Sequence, residues 1–153
     1  MEEAKAHRDE LPGGHIKNLF LRNKKGDRHY LVVAEHSRPV SIQRVAEIVG
    51  DDRLSFGSPE RLMRCLGLTP GSVSPLGLIN DTAKEVRVVV DVGHTAEVPG
   101  AFSARGVPEY EFNLSLAKEI ERGLLEAGFT RTVLLVTTGP SRPGLFARVT
   151  RAN

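Results

Sequence analysis

Three groups of residues in this chain have types and spacings that could support chemistry. Lys17 lies within an otherwise apolar stretch, where its ammonium group must reach water or meet an anion. Gly71 and Pro75, four residues apart, can form a rigid turn whose backbone N–H groups approach a ligand. His94 follows a run of valines and Glu109 begins an amphipathic stretch, so both could meet at the edge of an α/β sheet, where ligands bind.

Structural roles could also explain each of these residues. A lysine at the start of a strand can extend its charge into solvent, and glycine and proline are common in loops. His94 could be an ordinary loop histidine, and Glu109 could be a first-turn carboxylate that complements the helix dipole. A catalytic zinc ion needs three protein ligands, whereas the spacing suggests only two. Spacing alone therefore leaves both interpretations open.

Composition is that of an ordinary soluble chain. The 153 residues are 40% hydrophobic and carry a formal net charge of +2, which does not by itself indicate a nucleic-acid binder. Local charge is more informative, although a solvated hairpin tip would look the same. Five cations fall close together: Lys17, Arg22, Lys24, Lys25 and Arg28.

The sequence predicts a cytoplasmic protein. Its charged amino terminus lacks the apolar core of a secretory signal, and no apolar run approaches the roughly 20 residues that span a bilayer. The single Cys65 cannot form an internal disulfide, which fits a reducing compartment. We expect no membrane partner, and the sequence does not indicate the oligomeric state.

The elements that must position these residues alternate between strand and helix. Residues 16–21 and 29–34 predict a hairpin, and Ser41 and Ser58 predict the starts of two helices that end at Gly50 and Gly67. Two neighbouring strands are predicted at Leu76–Ile79 and Val86–Val92. A short helix is also predicted at Glu2–Glu10, and a helix start at Arg142–Asn153.

The second half reads as strand, loop, helix and strand. A helix is predicted at Glu109–Ala127, with Phe112, Leu116, Ile120 and Leu124 at intervals of four, followed by a buried strand at Val133–Val136. This order predicts a βαβ unit with parallel strands and a right-handed crossover. The fold class is therefore α/β, with a mixed sheet, packed helices and a βαβ unit at the end.

Beyond spacing, the first part of the chain resembles the YbaK-like, prolyl-tRNA-synthetase-associated editing domain. The segments that carry the resemblance are Gly14–Leu21, Arg53–Leu62 and Pro70–Asp81. It is most similar to the free-standing members that hydrolyse alanine wrongly attached to proline tRNA. The resemblance implies a catalytic role for Lys17, substrate binding by Asn18, Gly71 and Pro75, the aminoacylated acceptor end of tRNA as partner, and no cofactor.

In that family, backbone groups position water and the substrate ester, and no covalent nucleophile takes part. This agrees with the absence of a Ser/His/Asp or Cys/His arrangement in the sequence. The family's strands beyond the position of Asp91, which carry a histidine-proline element, have no counterpart here. Hydrolytic activity is therefore left open by the sequence.

Residues 89–153 resemble the amino-terminal part of a zinc-dependent N-acetylmuramoyl-L-alanine amidase. Val90–His94, Gly106–Leu114 and Arg148–Asn153 carry this resemblance. It implies that His94 and Glu109 are zinc ligands, and zinc is expected only under this interpretation. The family's second zinc histidine and its catalytic glutamate have no counterpart, so we expect no amidase activity.

The sequence thus predicts two incomplete domains, an editing-like domain over residues 1–91 and an amidase-like segment over residues 92–153. The favoured function is an aminoacyl-tRNA deacylase. The alternatives are an amidase fragment and a chimeric α/β scaffold, natural or engineered, that catalyses nothing.

Overall fold

The computed structural model describes residues 15–36 and 39–139, and within them five strands form one mixed sheet. β1 pairs antiparallel with β2 and β3, whereas β4 runs parallel to both β2 and β5. The predicted α/β class with a mixed sheet is therefore confirmed. The order across the sheet is β3-β1-β2-β4-β5. The strands are β1 (Ile16–Asn23), β2 (His29–Glu35), β3 (Leu54–Phe56), β4 (Val86–Asp91) and β5 (Thr132–Leu135).

Helices cover both faces of this sheet. The predicted caps of the first two helices are confirmed, because Ser41 and Ser58 each accept a bond from the backbone N–H three residues later. Gly50 and Gly67 end these helices with φ of +69° and +65°, a conformation that favours glycine. The helices are α1 (Ile42–Val49), α2 (Pro59–Leu66), α3 (Glu109–Glu126) and a short 3₁₀-helix at Pro75–Asn80.

Side chains along each strand alternate between two apolar layers. Phe20 and Leu31 belong to the layer that contains residues of α2 and α3, which we call the α2/α3 face. Leu21 and Tyr30 belong to the layer that contains residues of α1, which we call the α1 face. The internal strand β4 contributes valines to both layers, and each fully buried valine stabilises the fold by about 1.5–3 kcal/mol.

The strand predicted at Leu76–Ile79 is wrong, because this segment lies in the 3₁₀-helix. Pro75 fixes φ and lacks an N–H, and the Ser74 hydroxyl accepts a bond from the Leu76 amide, so a turn forms instead of a ladder. Leu76 and Ile79 are more than 80% exposed, so their apolar character does not report burial. The three-residue strand β3 was not predicted at all.

The predicted βαβ unit is confirmed as β4, α3 and β5, with parallel strands. One sheet therefore runs through both parts of the chain, with β4 as the common strand. α3 packs on the α2/α3 face mainly through Ala117, Leu114 and Leu124, whereas Phe112 and Leu116 are exposed. The helices predicted at Glu2–Glu10 and Arg142–Asn153 lie outside the described residues.

Candidate functional site

The start of β1 contacts the Gly71–Pro75 segment through one side chain. The Asn18 amide Nδ2 donates a hydrogen bond of 2.9 Å to the backbone oxygen of Val73. The other amide atom of Asn18, Oδ1, is buried and has no hydrogen-bond partner in the described part of the chain. A buried acceptor without a partner is uncommon in folded proteins, so this atom marks a polar spot beside the segment.

The backbone of the Gly71–Pro75 segment leaves several donors available. Gly71 has φ of +93°, a region that favours glycine. Apart from its two chain neighbours, no described residue has a heavy atom within 4 Å of the position that its Cβ would occupy. Across residues 15–36 and 39–139, no acceptor pairs with the amides of Gly71, Val73 and Ser74. Pro75 has no amide hydrogen and starts the 3₁₀-helix. Such a turn can offer its free N–H groups to an anion or a polarised carbonyl oxygen.

Lys17 projects from the opposite face of β1 from Asn18. It pairs with Ala34 in the register of β1 and β2, and its position alternates with that of Asn18, so it lies on the α1 face. Its Nζ donates a hydrogen bond of 3.1 Å to the backbone oxygen of His36. The structure therefore brings Asn18 to the Gly71–Pro75 segment and leaves Lys17 at the same end of the strand on the other face. The catalytic role of Lys17 stays a prediction.

His94 and Glu109 do meet, as their positions after a strand and at a helix start predicted. His94 Nε2 lies 3.4 Å from Glu109 Oε2, and the two side chains are 37% and 46% exposed. His94 has φ of +65°, which is rare for a residue with a side chain. Gly100 lies directly against the pair, because a Cβ there would approach Glu109 Oε2 to 2.7 Å and His94 Nε2 to 2.9 Å.

A catalytic zinc ion does not fit the residues that the structure describes. No group of three or more His, Cys, Asp or Glu side chains within residues 15–36 and 39–139 could hold a metal ion. Two ligands leave a tetrahedral site one protein ligand short of the catalytic pattern. The metal-binding role of His94 and Glu109 therefore stays a prediction.

A polar network at the other end of β1 was not visible in the sequence. Asp51 accepts hydrogen bonds from the Tyr30 hydroxyl and from Arg28 Nη1, the latter at 3.1 Å. Burial, and secondarily the bond to Asp51, raises the pKa of Tyr30 to about 12. Only the tertiary fold brings Asp51 to Tyr30, so no local pattern could have found this contact.

Comparison with known proteins identifies the family. The family described as aminoacyl-tRNA editing domain matches residues 1–103 of the 153. The chain belongs to the aminoacyl-tRNA editing domain family. The predicted resemblance over the first part of the chain is therefore confirmed, and the match includes Lys17, Asn18 and the Gly71–Pro75 segment.

Curated relatives of this editing-domain chain share its first part. The prolyl-tRNA editing protein ProX of Acetoanaerobium sticklandii is 45% identical over 101 residues, which cover 63% of this chain and 62% of that protein. Prolyl-tRNA synthetase associated domain-containing protein 1 of Danio rerio is 35% identical over 91 residues, or 60% and 49% of the two chains. The putative human protein of the same name is 33% identical over 93 residues, or 60% and 54%. The chain thus spans about half to three fifths of these relatives.

The later part of the chain is similar to a second family. The family described as N-acetylmuramoyl-L-alanine amidase matches residues 88–153, which agrees with the second predicted resemblance but covers less than half of the chain.

The crystal structure of the hypothetical protein APE2540 matches the fold with a TM-score of 0.50 at 18% identity, over 90% of this chain and 83% of that one. No described helix is long and apolar enough to cross a membrane.

Proposed function

We propose that the chain is an aminoacyl-tRNA deacylase that removes wrongly attached alanine from proline tRNA. The observation that carries the proposal is the contact between Asn18 and the Gly71–Pro75 segment, inside the part of the chain that matches the editing-domain family. The relative with 45% identity is a prolyl-tRNA editing protein, which supports proline tRNA as the partner. A cytoplasmic location follows from this role.

The proposed reaction is the attack of water on the ester carbonyl that joins the amino acid to the 3′-terminal ribose. Water adds to the carbonyl carbon, the bond to the ribose oxygen breaks, and the products are free alanine and deacylated tRNA. The free amides of Gly71, Val73 and Ser74 would stabilise the negative charge that develops on the carbonyl oxygen. Asn18 Oδ1, an unpaired acceptor, would orient the attacking water or the α-ammonium group of the attached amino acid.

Lys17 would contribute positive charge near the terminal phosphate or the ester. Its side chain starts on the face of β1 opposite Asn18. Within the described residues, β3 covers this edge of β1 only at Leu21–Asn23, so the edge beside Lys17 has no neighbouring strand. The long lysine stem can therefore carry the ammonium around the edge. Replacing its bond to the His36 carbonyl by one to a phosphate oxygen gives a stronger, charge-assisted interaction.

Selectivity for alanine would come from the size of the ester pocket, because a small cavity excludes larger side chains sterically. The test compares the release of labelled amino acid from alanyl-tRNA and prolyl-tRNA that share the same proline tRNA. We expect alanine to be released faster than proline by at least tenfold. Equal rates for the two esters would reject alanine selectivity while leaving deacylation itself intact.

The His94–Glu109 pair offers a second candidate, the amidase reaction, because it forms at the position that the amidase family match covers. Release of peptide from muramyl-peptide, with one zinc ion bound per chain and lost in His94→Ala, would support it. We expect no such activity, because two side chains do not complete a catalytic zinc site. If neither ester nor peptide is cleaved, the chain acts as a scaffold without catalysis.

A further inference from the structure

A charged cleft lies at the end of β1 away from Lys17 and Asn18. It has a volume of about 590 Å³ and lies between the β1–β2 hairpin tip and the loop that follows α1. The hairpin supplies one wall and the loop supplies the other. The lining residues are Asn23, Lys24, Lys25, Asp27, Arg28, Gly50, Asp51, Asp52 and Arg53.

Most carboxylates of this cleft have hydrogen-bond partners, whereas most of its cationic side chains have none among the described residues. The Asp27 carboxylate accepts a hydrogen bond of 2.7 Å from Asn23, and Asp51 is held by Arg28 and Tyr30. In the described part of the chain, no hydrogen bond or ion pair engages the side chains of three of the cations. These are Lys24, Lys25 and Arg53, and Asp52 is the single lining carboxylate likewise without a partner there.

The walls of the cleft are held in place before any ligand binds. Asn23 Oδ1 accepts hydrogen bonds from the backbone amides of Gly26, Asp27 and Arg28, at 2.8, 3.2 and 3.2 Å. Arg61 of α2 donates to the backbone oxygen of Gly26 from the other side. These bonds fix the backbone that carries Lys24 and Lys25, so binding an anion there requires ordering of the side chains but not of the turn.

The cleft and Lys17 lie at opposite ends of strand β1. Lys17 is six residues from Asn23 on β1, which places the two ends about 20 Å apart at 3.3 Å per residue. α1 lies on the face between them and ends at Gly50, which lines the cleft. A polyanion that contacts Lys17 at one end of β1 can therefore reach the cleft at the other end with a following segment.

We propose that the cleft between the hairpin tip and the α1–β3 loop binds the phosphodiester backbone of the tRNA acceptor stem. Lys24 and Lys25 approach the backbone from one wall and Arg53 from the other. This inference rests on the proposed deacylase function, because it takes the tRNA acceptor end to be the substrate. Phosphate contacts of this kind set position and affinity and do not read sequence.

The test measures binding of deacylated proline tRNA to the full chain over a range of salt concentrations. The variant Lys25→Ala/Arg53→Ala removes one cation from each wall, and the matched control Arg105→Ala/Lys118→Ala removes one lysine and one arginine that are exposed elsewhere. We expect the cleft variant to weaken binding at least tenfold. Its slope of log K against log salt should become shallower by about 1.4–1.8, the value for two lost phosphate contacts. The control should change affinity less than threefold.

A charge-retaining variant, Lys25→Arg/Arg53→Lys, should restore at least half of the lost affinity on a logarithmic scale. Unchanged tRNA affinity and salt slope in Lys25→Ala/Arg53→Ala would overturn the cleft proposal, even if the chain deacylates alanyl-tRNA. A slope change without any deacylation would support the cleft and reject the proposed function. Vesicles containing phosphatidylserine test the alternative of a membrane surface. If the wild type binds them and Lys25→Ala/Arg53→Ala does not, while tRNA binding is the same for both proteins, the proposal is overturned in favour of a membrane surface.

Discussion

Replacing Asn23 by alanine should destabilise the fold by about 2 kcal/mol, because one side chain organises the whole β1–β2 turn. Asn23 is only 5% exposed, and its Oδ1 accepts hydrogen bonds from the three successive backbone amides of Gly26, Asp27 and Arg28. Alanine removes this acceptor and also the Nδ2 donor to Asp27, whose exposed carboxylate water can solvate instead. The backbone bond from the Asn23 amide to the Arg28 oxygen stays in place.

The magnitude follows from the lengths and exposure of these bonds. A hydrogen bond contributes a net of about 0.5–1.5 kcal/mol, and the two bonds of 3.2 Å belong at the weaker end of that range. Water can reach part of the exposed turn in the variant and replace some of what is lost. About 0.5 kcal/mol for each long bond and 1 kcal/mol for the bond of 2.8 Å together give roughly 2 kcal/mol.

Urea unfolding followed by circular dichroism gives the free energy of unfolding for the wild type and the variant. Asn80→Ala is the matched control, because Asn80 is exposed and, among the described residues, its side chain makes one hydrogen bond, of 2.8 Å, to the Leu66 oxygen. We expect a loss of no more than about 1 kcal/mol in the control. A loss below 0.5 kcal/mol in Asn23→Ala, or one equal to the control, would refute the reasoning about the turn.

The same variant has a second readout. The hydrogen bond from Asn23 is the main reason that the pKa of the Asp27 carboxyl lies below its ordinary value. In Asn23→Ala this pKa should rise toward the ordinary value, as measured by an NMR titration of the carboxyl carbon. A pKa that stays unchanged would mean that neighbouring cations, rather than Asn23, hold it down.

Three further predictions test other parts of the structure. Folding raises the pKa of Tyr30 from 10.0 to about 12, so between pH 10 and 12 the hydroxyl is neutral in the folded chain and largely ionised in the unfolded chain. Stability should therefore fall across this range by at most about 2.7 kcal/mol. Urea unfolding of Tyr30→Phe should lack this drop, and an identical drop would contradict the assignment. His94→Gly should raise the free energy of unfolding by about 1 kcal/mol by relieving its positive φ, whereas His94→Ala should not, and equal stabilities would argue against strain. Burial raises the pKa of the Cys65 thiol, so a thiol reagent should modify it at least 100-fold more slowly in the folded chain than in urea, and equally fast modification in both would contradict its burial.

Local chemistry predicted the elements that carry their own signals. Ser41 and Ser58 mark helix starts because their hydroxyls bond to backbone amides nearby in the chain. The run of valines predicts a strand at Val86–Val92, and the structure places β4 inside the sheet. The strand predicted at Leu76–Ile79 is wrong, because apolar residues in a short run resemble a strand even when a preceding proline starts a 3₁₀-helix.

The sequence indicates candidate site residues, whose roles stay predictions, but it does not indicate how they are arranged. The sequence placed Lys17 beside Asn18, and only the pairing of β1 with β2 reveals that the two side chains lie on opposite faces. Asn18 reaches Val73 across 55 positions of sequence, and Arg53 faces the hairpin tip only because α1 folds over the sheet. Such contacts depend on tertiary packing, which a short sequence pattern does not encode.

The central claim is that the start of β1 and the Gly71–Pro75 segment form a site that hydrolyses aminoacyl-tRNA. The most direct measurement is the release of alanine from alanyl-tRNA for proline by the wild type, Lys17→Ala and Asn18→Ala. Lys118→Ala serves as control, because it removes an exposed lysine of α3. We expect turnover by the wild type and the control, and at least a tenfold lower kcat in the other two variants. No turnover above buffer, or equal turnover by all four proteins, would contradict the account.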